Sequence, residues 1–412
     1  MNATPDFVRD PRLMRGSNHN GMRQFNERIV LQAVRLQGAI PKADLARLTQ
    51  LSTQTVSIIV NRLEADGLLV KQDRIRGKIG QPSVPLALNP DGAFSLGLQV
   101  GRRSLEVLVS DFLGQPRHQL QFNYPFPDPE VVLRHIRQAL AEMEALMGEK
   151  WQRVVGVGLT APLFLHKWPH LLGGEAAAAL QRWEPIDLLG EVKALTSLPV
   201  AFAKDTTSAC MAEMLQGHGR AISNFLYVFV GTFVGGGLVL AGHIMAGPTG
   251  NAGAIGSLPT GLTNGADASS GTKPDQLLQL ASGWQLEQAL LAAGFDPLSV
   301  LDDRIMDPAF AAVTRPWLEQ ASRALAMAIV SATAILDLDA SVIDGSLGRT
   351  LINALIDATR EKLADYNLEG LNPPSVVAGQ AGAHARAIGA SLLPLHKQFF
   401  PVKDIFLKQD LV

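Results

Sequence analysis

Leu198-Pro-Val-Ala-Phe-Ala-Lys-Asp205, Gly231-Thr-Phe-Val-Gly-Gly-Gly237 and Gly250-Asn-Ala-Gly-Ala-Ile-Gly-Ser257 follow one another between Leu198 and Thr260. The first is a short apolar run ending in a carboxylate. A buried strand delivers a charged group this way to its carboxyl end, where open α/β sheets bind ligands. Thr206 to Gln216 then reads as a capped helix stopped at Gly217. Phe225 to Val230 and Leu238 to Ala241 read as strands joined by the glycine-rich turn, whose backbone N–H groups can approach an anion or a sugar closely. Such a turn alone is equally a plain tight turn. The order of the pieces carries the signal.

In that order the stretch resembles the ROK family of repressors, open reading frames and sugar kinases, with its Asn-Asp pair, Gly-Thr-Gly-x-Gly-Gly-Gly hairpin and Gly-Asn-Ala-Gly-Glu-x-Gly-His motif. The resemblance covers nearly the whole chain. It implies an α/β chain: an N-terminal winged helix-turn-helix, then a two-lobed actin-like ATPase (ribonuclease H-like) body of the sugar-kinase type. It places Asp205 at the catalytic base, which takes the proton of a sugar hydroxyl and also binds sugars in members that do no chemistry.

The departures matter as much. Lys204 stands for asparagine, Phe233 for the third hairpin glycine, Ala254 for a sugar-binding glutamate and Ser257 for a histidine shared by sugar and zinc. Leu278 stands where a further sugar-contact glutamate is usual. The first phosphate loop, Asp-x-Gly-Gly-Thr in the family's kinases, reads Gln99-Val-Gly-Arg-Arg103 here. The Cys-x-Cys-Gly-x-x-Gly-Cys zinc loop is replaced by Gly261–Lys273. The resemblance therefore implies no zinc, no cofactor and a vestigial base position. Its effector contacts fall on Thr160 (at the serine of the family's Ser-x-Pro-Gly sugar loop, in the strand-and-loop stretch Val154–Pro162), Lys204, Asp205, Gly235, Gly236, Asn251, Ala254 and Ser257. Lys204 is expected to give its ammonium to a ligand oxygen or to pair with Asp205. Trp168 and Trp183 near Thr160 read as packing before sugar stacking.

The 412 residues suit two or three domains, and 47% hydrophobic against 18% charged residues gives each a sizeable core. Met1–Gly21 has no basic apolar leader, so a cytoplasmic protein is expected. The long uncharged run Phe225–His243 is broken by glycines and reads as a buried hairpin, not a membrane span. One cysteine, Cys210, leaves no internal disulfide. Charge is uneven. Residues 1–90 hold 13 Lys and Arg against 7 Asp and Glu, while the rest hold 23 against 31. A basic front end on an acidic body points to a polyanionic partner for the front end alone.

That front end reads as three helices. Phe25, Ile29, Ala33 and Leu36 share a face before Gly38, Lys42–Thr49 forms a second helix, and Thr53–Asp66 a third, capped by Ser52 and stopped at Gly67. A short helix, a turn and a second helix make a helix-turn-helix. Ser52, Thr53, Gln54, Thr55 and Ser57 on the first turns of the third helix, with Arg62 further along, are the candidate DNA contacts. Leu68–Gln72 and Val84–Leu88 read as strands of a wing whose tip carries Arg74, Arg76 and Lys78. Pro85, Pro90 and Asp91-Gly92 read as a hinge.

The expected domains are 1–91 for DNA, 92–200 for a small lobe with the helix from 384 to 412 packing back on it, and 201–383 for a large lobe. Beyond the hairpin Phe94–Asp111 and helix Pro129–Lys150, the last third alternates helix Arg315–Leu336, strand Ala340–Ile343, helix Leu351–Tyr366, strand Ser375–Gly379 and helix His384–Leu395. Gly382 and Gly389 resemble the family's nucleotide side, and His384 reads as a surface residue. The expected function is a sugar-responsive regulator, a homodimer or homotetramer on a palindromic operator, with no membrane contact. The alternatives are an active ATP-dependent sugar kinase with a DNA-binding domain and a body that binds another protein. The missing hydroxyl-binding residues leave a sugar phosphate, an acid sugar or a polyol as effector, with Lys204 and Arg102 supplying positive charge.

Overall fold

The computed structural model describes residues 19–73, 84–163, 174–261 and 275–401. Arg74, Arg76, Lys78 and Trp168 lie outside them, as does most of Gly261–Lys273. Two compact units share the chain. One takes the described residues up to Phe94, Asp111–Gln115 and the segment from Leu395; the other takes Ser95–Ser110 and Pro116–Pro394. No helix among the described residues is long and apolar enough to cross a membrane.

The first unit holds α1 (His19–Gln37), β1 (Ile40–Pro41), α2 (Lys42–Thr49), α3 (Thr53–Ala65), β2 (Leu69–Lys71) and β3 (Pro85–Leu88). Its antiparallel sheet runs β1-β3-β2, so the wing gains a short third strand that the sequence reading lacked. Val30, Leu31, Val34, Leu45, Val56, Val60, Leu69 and Leu86 form the core. The inward stripe of α1 is thus rotated from the expected one. Leu36 is 52% exposed, because a 3.6-residue period admits two neighbouring stripes and only packing chooses between them.

The segment read as a hinge is tied down. Asn89 donates from Nδ2 to the Gly67 carbonyl at 2.7 Å, Pro90–Gly92 forms a 3-10 turn, and the Phe112 N–H reaches the Pro90 carbonyl at 3.1 Å. Arg28 donates to the Lys397 and Phe400 carbonyls at 3.0 and 3.1 Å, supplying donors that the end of a helix lacks. Arg35 lies 4.1 Å from the Phe400 ring centroid and 5.5 Å from that of Phe112, and burial pushes its guanidinium down to about 10.

The second unit uses one plan twice. β4 (Phe94–Val100), β5 (Ser104–Asp111), β6 (Pro116–Asn123), β7 (Val154–Ala161) and β8 (Val200–Lys204) form a sheet in the order β6-β5-β4-β7-β8. β9 (Phe225–Val230), β10 (Val234–Leu240), β11 (His243–Ile244), β12 (Ala340–Gly345) and β13 (Ser375–Ala378) repeat that order as β11-β10-β9-β12-β13. Pairing is antiparallel for β5–β6 and β9–β10 and parallel for β7–β8, β9–β12 and β12–β13. Every residue of β9 and β12 is buried; β9 reads as an unbroken apolar run, while β12 carries Ser341 and Asp344 inside. Polar β6, absent from the sequence reading, alternates exposed and half-buried residues at the sheet edge, where one face meets water.

Between the strands lie α4 (Pro129–Met147), α5 (Gly174–Gln181), α6 (Leu188–Leu195), α7 (Asp205–Gln216), α8 (Leu277–Ala281), α9 (Gly283–Ala292), α10 (Ala311–Leu336), α11 (Arg349–Leu363) and α12 (Ala385–Phe399). Ala321, Ala324, Leu325 and Ala328 of α10 pack with Leu351, Leu355 and Ile356 of α11 in the largest core, and small side chains let the two helices approach. The glycine-rich segment departs from its reading. Its turn is only Gly231–Phe233, and Gly235–Gly237 already belong to β10. At Gly237 a Cβ would fall 2.5 Å from that of Cys210 on α7, so glycine there lets helix and strand pack.

Candidate functional site

β8 ends at Lys204 and α7 begins at Asp205, so one strand-to-helix junction brings both charges to a cavity of about 360 Å³. The β4–β5 turn (Gly101–Ser104), Glu106, Phe229, Thr232, Phe233, Gly235, Asn251, Ala254, Ser257, Leu278, His384 and Arg386 line it with them. The expected effector residues Lys204, Asp205, Gly235, Asn251, Ala254 and Ser257 therefore meet around one space. Two do not line it. Thr160 is fully buried in β7 opposite Ala203, its hydroxyl without a partner, and Gly236 turns to the Tyr227 carbonyl.

Asp205 accepts from the Thr206 N–H at 2.8 Å, and Arg386 stands 3.7 Å from its other carboxylate oxygen. Lys204 instead donates to the Ala252 carbonyl at 3.2 Å and to Asn251 Oδ1 at 3.4 Å. Of the two expected roles, the pair with Asp205 is not formed: the strand ends at Lys204 and the helix begins at Asp205, and the ammonium goes to the Asn251–Ala252 segment. Burial pulls the Lys204 ammonium below its ordinary value, with Asp205 opposing the shift.

Arg102 and Arg103 are already engaged. Arg102 donates to Glu287 Oε2 at 2.9 Å, and Arg103 grips both oxygens at 2.9 and 2.8 Å. Glu287 is 2% exposed on α9, and the Arg102 guanidinium lies 4.5 Å from the Trp284 ring centroid. Helix α9 is itself pinned to the β9–β10 turn, with the Gly283 and Trp284 N–H groups on the Gly231 and Thr232 carbonyls at 2.9 and 3.0 Å. The turn that stands where the resemblance puts a phosphate loop is therefore bolted to the other sheet's helices.

The Gly379–Gly382 loop is held likewise. Glu213 accepts the N–H groups of Gln380 and Ala381 at 2.9 and 3.0 Å, and Asp344 accepts that of Gly382 at 2.7 Å. Both carboxylates are fully buried, and burial raises Asp344. Sequence reading passed over both acids, because each sits in an otherwise ordinary helix or strand. It also missed Arg386; His384, read as a surface residue, is 59% exposed and lines the cleft as well.

His384 is a partner of the cleft. Its Nδ1 lies 2.9 Å from Glu106 Oε2, and that hydrogen bond, against opposing burial and Arg386, raises it above the ordinary value. A raised histidine stabilises the fold fully below its unfolded value of about 6.5 and loses the benefit as pH rises through its folded one. In thermal melts, wild type should therefore exceed His384→Gln below that pH, the gap closing as the buffer is made more basic. A gap that widens with pH contradicts the pairing.

The residues present do not fit the family's zinc. Cys210 is buried in α7 against Gly237, and the sequence from Leu258 to Lys273 contains no Cys or His.

In the first unit, Ser52 caps α3 by accepting from the Thr55 N–H at 3.1 Å. Ser52, Thr53 and Gln54 are exposed and Thr55 and Ser57 half-buried. Arg62 is bound to Glu27 of α1 at 3.2 Å and lies 3.8 Å from Asp66. Ile58, one turn beyond Gln54, is 64% exposed, an apolar residue on a polar face that the amphipathic pattern did not single out.

A winged helix-turn-helix precedes a body of two like-ordered sheets with a cleft at a strand end. The model described as the ROK family matches residues 95–397, and the chain belongs to that family. A second, described as the MarR family, matches residues 24–78. A xylose repressor of Caldicellulosiruptor bescii is 23% identical over 240 residues, 58% of this chain and 59% of that protein. The chain thus spans less than two thirds of that relative's length. Among solved structures, a ROK family transcriptional regulator homologous to the Escherichia coli MLC protein matches with a TM-score of 0.67 at 20% identity, covering 92% of this chain and 98% of that one. A ROK family glucokinase from Streptomyces griseus, in complex with glucose and AMPPNP, matches with 0.57 at 20%, covering 73% and 99%. Both likenesses are of fold.

Proposed function

We propose that the chain is a sugar-responsive transcriptional regulator. Its winged helix binds operator DNA, and its kinase-derived cleft senses a carbohydrate-type effector without transferring phosphate. The observation that carries the loss of phosphotransfer is the Arg102–Arg103–Glu287 cluster. It commits both arginine side chains of the β4–β5 turn to a buried carboxylate, so neither guanidinium is free for a phosphate. The amides of the Gly379–Gly382 loop add support, since Glu213 and Asp344 occupy three of them. ATP with magnesium would have to displace Glu287 from the arginines of the first turn and the two carboxylates from the amides of the second loop.

The effector sits at Asp205 and Lys204 with Gly235, Asn251, Ala254 and Ser257 around it, and Thr160 supports the wall from within. Gly236 sets the close approach of β10. The protein acts in the cytoplasm as a dimer or tetramer on a palindromic operator, since a two-fold protein matches a two-fold site. Ser52, Thr53, Gln54, Thr55 and Ser57 meet phosphates and base edges, with Ile58 added as an apolar contact for a thymine methyl. Arg62 joins them from α3, and Arg74, Arg76 and Lys78 from the wing. The body divides at about residue 200 into a small and a large lobe.

Effector bound more tightly by one lobe arrangement shifts the spacing of the two winged helices. Thr53→Ala should weaken operator binding about tenfold, the cost of one good contact, with effector affinity unchanged. Fluorescence anisotropy on labelled operator checks it, and equal loss of both affinities contradicts the separation of roles. The kinase alternative rests on Asp205, Thr232 and the surviving glycines Gly235–Gly237. A coupled assay with ATP and a panel of hexoses tests it. Turnover abolished by Asp205→Asn would replace the sensor reading by the kinase one.

A further inference from the structure

Four cations line the cleft: Arg102, Arg103, Lys204 and Arg386. They are not equivalent. Arg102 and Arg103 spend their charge on Glu287 through three hydrogen bonds. Lys204 has only neutral acceptors, the Asn251 side chain and the Ala252 carbonyl. Arg386 stands off Asp205 at 3.7 Å, beyond hydrogen-bond length, and its Nε is buried without any partner. Its guanidinium is also held 5.0 Å from the Phe229 ring centroid, which orients it without neutralising it. One fifth of the Arg386 side chain remains exposed, so nitrogens other than Nε are open to an acceptor from the cavity.

The walls around these two cations add no acid, since Phe233, Ala254 and Leu278 are apolar. The carboxylates of the cluster are Glu106, Asp205 and Glu287. Four cations against three anions leave one positive charge with His384 neutral. One negative charge on the guest balances it, whereas a phosphate dianion overbalances it beside Glu106 and Asp205.

We infer that the effector of this cleft is a sugar acid, its carboxylate taken by Arg386 with Lys204 as second cation. This rests on the reading of the cleft as a carbohydrate sensor and narrows the guest to one chemical class. It also moves the positive charge of the site from Arg102, expected from sequence, to Arg386. A guanidinium matches a carboxylate in planar, two-pronged geometry, and charge-assisted hydrogen bonds of this kind are the stronger ones.

The test uses the full chain in calorimetric titrations with D-glucuronate, D-gluconate, D-glucose, D-xylose and glucose 6-phosphate. The expected result is binding of a sugar acid at least tenfold tighter than either neutral sugar, weakening as salt is raised. Arg386→Gln should cost the acid 10-fold or more and leave the neutral sugars within about twofold, while Arg386→Lys recovers part of the loss. Lys204→Met should act in the same direction. Melts of the unliganded variants separate this from misfolding, and Arg386→Lys keeps the charge if Arg386→Gln does not fold.

Neutral sugars binding more tightly than both acids would overturn the inference while leaving the sensor reading intact, as would selectivity unchanged in Arg386→Gln and Lys204→Met. Glucose 6-phosphate binding more tightly than the acids would overturn the choice of carboxylate. No heat from any of the five would remove the sensor reading and this inference with it.

Discussion

Asp205→Ala abolishes the response to effector and leaves operator binding at the wild-type level. Asp205 opens α7, is 8% exposed, and presents one carboxylate oxygen to the cavity beside Arg386 while the other is held by the Thr206 N–H. In such a place a carboxylate is the natural acceptor for sugar hydroxyls. Hydrogen bonds to a charged group contribute about 1.5–3 kcal/mol each, so losing two costs at least a hundredfold in affinity. Alanine also leaves Arg386 with no fixed counter-charge. The freed guanidinium offsets part of the loss for an acidic guest only, so a neutral sugar gives the cleaner readout. Asp205 belongs to the second unit and the winged helix to the first, so DNA affinity is read separately. Anisotropy of labelled operator, with and without effector, measures both. A mutant that still responds normally means that the effector binds elsewhere.

The second large effect concerns stability. Glu287→Gln removes the one carboxylate that two arginines share. The acid is 2% exposed, while Arg102 and Arg103 keep 20% and 31% of their side-chain surface. Breaking a buried ion pair from one side costs about 3–5 kcal/mol, because the partner charges stay behind. The partial access of the arginines to water puts the expected loss at the low end, about 3 kcal/mol. That corresponds to about 5 °C in melting temperature for a body of this size. Urea unfolding followed by tryptophan fluorescence checks it, with Trp284 beside Arg102 as a local reporter. Replacing the cluster together, Arg102→Met with Arg103→Met and Glu287→Met, should recover most of the loss, since an apolar cluster needs no pairing. A single-mutant loss below about 1 kcal/mol would reduce the cluster to an ordinary surface contact.

How much of this was legible in the residues differs from element to element. Helices α2 and α3 and the β9 strand were read nearly to the residue, because their periods are clean and their ends carry Ser52, Gly67 and a solid apolar run. The β10 boundary was not. Gly235–Gly237 look like a turn by composition, yet the missing side chains of Gly235 and Gly237 serve the contact of α7 with the sheet, a tertiary demand that local propensity does not encode. The polar edge strand β6 was hidden for a similar reason, since only its neighbour β5 makes it a strand. At the site, the junction Lys204-Asp205 was visible as a strand end. What Lys204, Arg102 and Arg103 pair with was not, because Asn251, Ala252 and Glu287 come from distant parts of the chain. Arg386 stayed unnoticed on the first turn of α12, where a single arginine looks like any solvated one.

The proposed sensor cleft keeps its guest and no longer grips nucleotide. Calorimetric titration of the intact chain with a non-hydrolysable ATP analogue and magnesium measures that directly. The predicted result is no saturable heat up to millimolar analogue, in wild type and in the Arg102→Met, Arg103→Met, Glu287→Met triple variant alike, because Glu213 and Asp344 still hold the second loop. Saturable binding of the analogue to the wild-type chain with micromolar affinity would contradict it.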